Sequence, residues 1–139
     1  MLICEKPIVI TITNKPWLID EAILDRSDEL IYVPPPDAEA RMAIFHYYLF
    51  EKFKVAGFRE SDLQYLADLT EPKEINGKLY YHTARTIRKI VKSASFLARL
   101  RHSDGKVRLE DINDAMKYVR LNVSEDELRR YEEFEENVF

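Results

Sequence analysis

The sequence predicts a mostly α-helical protein: a helical bundle preceded by two short strands. Three observations predict it. Apolar residues recur at helical spacing from Asp37 onward. Before that point, residues 8–13 and 30–33 are short apolar runs rich in β-branched side chains. Between the two regimes stands Pro34-Pro35-Pro36, which suits neither a helix interior nor a central strand.

The first strand opens after Pro7. Ile8, Val9, Ile10 and Ile12 make it apolar on both faces, the pattern of a buried strand. Residues 17–24 are a short helix candidate, with Leu18, Ala22 and Ile23 on one side. Residues 30–33 form the second strand, stopped by the prolines. Two strands cannot bury both faces of a sheet. The 8–13 segment is therefore expected to pair with 30–33, to pair with a second copy of the chain, or to be disordered.

Asp37 is a good N-cap for the first long helix, whose inward face is Ala38, Met42, Phe45 and Leu49. Gly57 breaks that pattern. A second helix starts at Glu60 or Ser61 and turns Leu63, Leu66, Ala67 and Thr70 inward. Residues 72–78 read as a loop with an Asn76-Gly77 turn signal. Thr83 caps a long third helix that buries Ile87, Ile90, Val91, Ala94, Leu97 and Ala98, and Ser103-Asp104-Gly105 ends it. The fourth helix carries Ile112, Ala115, Met116 and Val119. Ser124 with Glu127 forms a capping box that opens the last helix, with Leu128, Tyr131 and Phe134 inward.

Hydrophobic residues make up 46% of the 139, enough to build a core. The formal net charge of -4 argues against general nucleic-acid affinity, though not against a local basic patch. Cys4 is the single cysteine, so no internal disulfide forms, which fits a reducing compartment. No apolar run is long enough for a bilayer. Glu5 and Lys6 interrupt what would be a signal-peptide core, so a cytoplasmic protein is expected.

Two places draw attention as sites. Thr13-Asn14 ends the first strand, and polar groups at strand ends are where open sheets bind ligands; Asn14 is equally suited to start a turn before Pro16. The third helix has a basic outer face: Arg85, Arg88, Lys89, Lys92 and Arg99. Arg85 sits in the first turn, against the helix dipole, where a phosphate would compensate it. The stripe as a whole could instead contact a nucleic-acid backbone, or be a solvated face opposite the acidic last helix, as charge stripes most often are. His46, His82 and His102 show no metal-ligand spacing, so no metal is expected. No glycine-rich phosphate loop and no nucleophile motif is present.

Three stretches resemble one family. "ITITNKPWLIDEAIL" resembles the AAA+ ATPase pattern "ATNRPxxLDxAL", and "ELIYVPPPDAEAR" resembles its continuation, "xxIxVplPdxxaR". "RLEDINDAMKYVRLNVSEDELRRYEEF" is similar to the end of the lid in the valosin-containing-protein-like branch. The resemblance implies that residues 1–36 are the C-terminal remnant of an α/β nucleotide-binding domain and 37–139 its helical lid. It implies a segment of an ATPase that couples ATP binding and hydrolysis to protein remodelling in a hexameric ring. Its partners would be neighbouring AAA+ subunits and protein substrates or adaptors; composition and charge argue against a membrane or nucleic acid. ATP with Mg²⁺ would bind only in the complete module. The chain alone has no phosphate loop or Mg²⁺-binding motif, so no cofactor and no hydrolysis are expected of it.

Residue by residue, the resemblance makes Asn14 the sensor-1 asparagine. Arg26 falls at the second arginine of the family's finger loop, which is shorter here and lacks a counterpart of the first. Thr83 matches the lid's N-cap serine, Ala84 replaces a glycine near the nucleotide, and Arg85 falls where many AAA+ proteins keep a sensor-2 arginine. The alternative is a free-standing, catalytically inactive lid-like interaction module that docks through its exposed apolar strands and last helix. A nucleic-acid-binding domain built on the basic stripe ranks last, because it explains neither the strands nor the "ITN" motif.

Overall fold

The computed structural model describes residues 8–138, so Cys4, and Pro7 as the opening of a strand, lie outside the described residues. The architecture is mostly helical, as expected, with a small three-stranded antiparallel sheet. It divides into two units: Val33–Arg129, and the residues up to Tyr32 together with those from Arg130 onward.

The Val33–Arg129 unit is built on helices α2 (Ala38–His46), α3 (Leu63–Leu69), α4 (Ala84–Arg101) and α5 (Leu109–Tyr118). Asp37 caps α2 by accepting the Ala40 N–H at 2.8 Å. Past His46 the coil widens into a π-helix, Tyr47–Lys52, with the Phe53 N–H bonded to the Tyr48 carbonyl. Lys54, at φ 49°, ends it. Phe45 and Leu49 are fully buried on either side of this change of pitch. Leu63, Leu66 and Ala67 of α3 and Thr70 at its C-cap are all buried, as their spacing predicts. Helix α4 is the centre, with Ile87, Ile90, Val91, Ala94 and Ala98 within 1% of complete burial. Ile112 and Ala115 of α5 close the core.

The sheet is not where the sequence placed strands. Residues 72–78 were expected as a loop, but β1 (Lys73–Ile75) and β2 (Lys78–Tyr81) form a hairpin there. Asn76 at φ 53° and Gly77 at φ 75° supply the two positive dihedrals of a tight hairpin turn. β2 pairs on its other side with β3 (Val123–Ser124), which runs directly into α6 (Glu125–Val138). Ser124 Oγ accepts the Glu127 N–H at 3.4 Å, one half of the expected capping box. An ion pair between Lys78 and Asp126 fastens the hairpin to the start of α6, raising the pKa of the lysine and lowering that of the aspartate.

In the other unit, residues 8–13 and 30–33 form no hydrogen-bonded ladder, which corrects both strand assignments. Ile8, Val9, Ile10 and Ile12 are at least 78% exposed. Their run is that of a strand buried between neighbours, and no neighbouring strand is present among the described residues of this unit. The helix expected over 17–24 is two pieces, a 3₁₀ turn Pro16–Leu18 and α1 (Glu21–Leu24), because Asp20 restarts the chain as an N-cap on Ala22. Tyr131 of α6 organises the unit: its ring stacks on Tyr32 at 5.8 Å and lies 5.3 Å from Trp17. Arg130 covers Trp17 at 4.3 Å in a cation–π contact.

No helix among the described residues is long and apolar enough to cross a membrane.

Candidate functional site

The first turn of α4 is the best-defined candidate. Thr83 and Thr86 cap each other reciprocally: the Thr83 N–H donates to Thr86 Oγ1 at 2.8 Å, and the Thr86 N–H to Thr83 Oγ1 at 3.4 Å. Thr86 is buried, so this bracket fixes the helix start. The Thr83 hydroxyl is thereby engaged as a cap. Ala84 and Arg85 follow as the first two helical residues, and both are exposed. The first turn contains no acid. Arg85 makes no ion pair among the described residues, so the N-terminal end of α4 presents N–H groups and a guanidinium with no anion to offset them. Arg88, Lys89, Lys92 and Arg99 are exposed along the same helix.

Asn14 and Arg26 belong to the other unit. Asn14 is exposed, and its backbone carbonyl accepts a hydrogen bond from the Tyr131 hydroxyl, so α6 holds the chain at the point where the side chain emerges. Arg26 is exposed in the turn after α1, a turn closed by Ser27 bonds to Leu24 and Ile23. Thr83, Ala84 and Arg85 are thus gathered in one turn, whereas Asn14 and Arg26 belong to the other unit.

Two features were not found from the sequence. Asp111 is completely buried and joins three groups: the Arg108 N–H at 2.9 Å, His102 Nε2 at 3.0 Å and Arg101 Nη1 at 3.4 Å. His102, Glu110 and Asp111 bring ligand atoms within 4.8 Å of one another, and the Asp111 carboxylate is at the same time held by the Arg101 guanidinium and the Arg108 amide. The cluster is the joint between α4 and α5.

The second is His82, the residue before the Thr83 cap. It is 5% exposed, and its Nδ1 is a buried atom with no hydrogen-bond partner. Burial lowers its pKa to about 4, with Lys73 and Arg41 adding repulsion and the Glu71 and Thr70 carbonyls opposing the shift. Its ordinary value is 6.5. The unfolded chain therefore binds the extra proton first, and the neutral imidazole's contribution to stability is full above about pH 6.5 and is lost as pH falls through about 4. NMR titration should show a His82 midpoint near 4, and His82→Phe should remove part of the acid destabilisation seen in urea melts. A midpoint near 6.5 would contradict the burial of this side chain.

No protein-family model matches the chain. Curated proteins do. Over 132 residues it is 30% identical to the ATPase family AAA domain-containing protein FIGL1 of Arabidopsis thaliana, a match covering 92% of this chain and 19% of that protein. Over 137 residues it is 30% identical to Cell division protein C of Sulfolobus acidocaldarius, covering 94% of this chain and 33% of that protein. Over most of its length the chain is thus similar to an ATPase family AAA domain-containing protein. The chain spans a third or less of the length of these relatives.

Proposed function

We propose that this chain is the C-terminal segment of a AAA+ ATPase module in the valosin-containing-protein-like branch, comprising sensor 1, a shortened finger loop and the helical lid. The observation that carries the reading is the start of α4: a rigidly capped helix terminus without an acid, presenting Arg85 to solvent, in a chain similar to an ATPase family AAA domain-containing protein. Helix termini and arginine together favour a phosphate. Arg85 would engage the nucleotide's phosphates as a sensor-2 residue, and Ala84 would lie beside the nucleotide. Asn14 would orient the attacking water and the γ-phosphate, since phosphoryl transfer depends on positioning and charge stabilisation. Arg26 would stand at the finger position toward a neighbouring subunit. In the complete module, ATP with Mg²⁺ would drive remodelling of protein substrates in a ring.

A chimera tests this, with the matched segment of FIGL1 replaced by this chain. ATP hydrolysis is expected to persist and to fall about tenfold or more in both Asn14→Ala and Arg85→Ala. Hydrolysis unchanged in both variants would remove the sensor assignments. The purified chain alone supplies an independent check, because Mg²⁺-dependent hydrolysis abolished by Arg85→Ala would overturn the reading of a segment inactive by itself.

A second reading, an inactive lid-like interaction module, is favoured by one observation: the apolar residues of 8–12 are exposed and available to a partner. It predicts that the chimera binds ATP but does not hydrolyse it.

A further inference from the structure

A cavity of about 400 Å³ opens between the hairpin and the end of α5. One wall is a face of the sheet. Lys73 and Ile75 alternate onto that face of β1, Tyr80 stands opposite Lys73 in the register, and His82 continues the same face past β2. The other wall is the last turn of α5, with Met116 and Lys117, and the 119–121 segment that carries Arg120.

The lining has a definite chemistry. Cations stand on both walls, Lys73 on one and Lys117 and Arg120 on the other, and no carboxylate lines the cavity in a chain whose net charge is -4. Lys117 is paired with Asp114 at 2.7 Å. Lys73 and Arg120 form no ion pair among the described residues. Between the cations lie the apolar side chains of Ile75, Met116 and Leu121. Among the described residues, the one buried side-chain polar atom without a hydrogen-bond partner, His82 Nδ1, belongs to a residue of this wall.

We propose that this cavity docks an acidic peptide segment of a protein partner, one that sets an apolar side chain between carboxylates. Charge complementarity points to it: carboxylates would meet Lys73 and Arg120 on opposite walls, and the apolar side chain would fill the strip between them. An inorganic anion would use the cations and leave that strip uncovered. A nucleic-acid backbone would need a basic groove to track and exposed aromatic faces for its bases, and beside the buried His82 imidazole Tyr80 is the single aromatic ring in the lining. The proposal does not depend on the nucleotide reading of Arg85, whose side chain is not part of this lining.

The test is calorimetric titration of the full 139-residue chain with an acetylated EELEELEE peptide. Saturable binding is expected, with a shift of the His82 imidazole resonances. The neutral analogue QQLQQLQQ should not bind. The Lys73→Gln/Arg120→Gln double variant should weaken binding about tenfold. Both side chains are exposed, so the fold should be kept, and unchanged far-UV circular dichroism checks it. No saturable binding, equal binding by the neutral peptide, or undiminished binding by the double variant would overturn the proposal. Displacement of the peptide by equimolar inorganic phosphate or oligouridylate would overturn it too, reassigning the cavity to phosphate-bearing ligands. Because ATP hydrolysis is not read, this experiment and the chimera fail independently.

Discussion

Gly57→Ala is expected to destabilise the Val33–Arg129 unit by about 3 kcal/mol or more, from strain and a backbone clash together. Gly57 sits at φ 113°, a conformation that residues with a side chain rarely adopt. A Cβ there would lie 2.1 Å from the Val107 carbonyl oxygen and 2.9 Å from its nitrogen. Neither is the movable end of a side chain. The contact is tight because the Val107 N–H donates to the Ala56 carbonyl at 2.9 Å, drawing the α4–α5 loop against the chain that leaves the π-helix. Val107 itself is 2% exposed, so the loop cannot back away without opening the core. Gly77→Ala is the control: φ is 75°, but nothing lies within 4 Å of the new methyl, so its cost should be conformational alone, roughly 1–2 kcal/mol. Urea unfolding of both variants separates the clash from the dihedral. Equal losses would mean that the 56–57 and 107 segments are not in contact.

How much of this was legible follows the physics of each signal. Helical faces were, because a period of 3.6 and a cap are local facts. Phe45, Leu49, Leu66, Ile87, Ile90 and Ile112 are fully buried where their spacing put them, and Asp37 and Thr83 cap the helices they precede. The hairpin was only half visible. Asn76-Gly77 announced the turn, but three- and four-residue strands carrying Lys73, Glu74 and Lys78 have too little apolar alternation to register as strands. The opposite error came from residues 8–13. Their apolar run specifies burial on two faces, but pairing is not local, and no partner strand stands beside them among the described residues.

The candidate site divides the same way. Thr83, Ala84 and Arg85 are consecutive, so a helix cap fixes all three at once. His82 and Asp111 gained their importance from residues distant in sequence. His82 takes its low pKa from burial beside Lys73, and Asp111 draws in the end of the preceding helix. A polar residue just before a cap, where an apolar staple is usual, was the available hint for His82.

Asp111→Ala is expected to cost about 3 kcal/mol, and Asp111→Asn clearly less, roughly 1 kcal/mol. Asp111 is completely buried, so its carboxylate must be satisfied by protein, and it is. One oxygen accepts the Arg108 N–H, capping α5, and lies 3.0 Å from His102 Nε2; the other faces Arg101. Alanine removes the cap and strands the partly buried imidazole and the amide without their acceptor. Asparagine keeps a carbonyl oxygen in place for the amide and loses the charge that Arg101 complements. The same loop carries Val107, so Gly57→Ala and Asp111→Ala act on one joint from two sides. Their effects should therefore not add: once one of them has loosened the loop, the other has less ordered structure to lose. Urea unfolding of the two single variants and the double variant measures this directly. A double-variant loss smaller than the sum by about 1 kcal/mol is the expected result, and strict additivity would show that the cap and the 56–57 contact hold the loop independently.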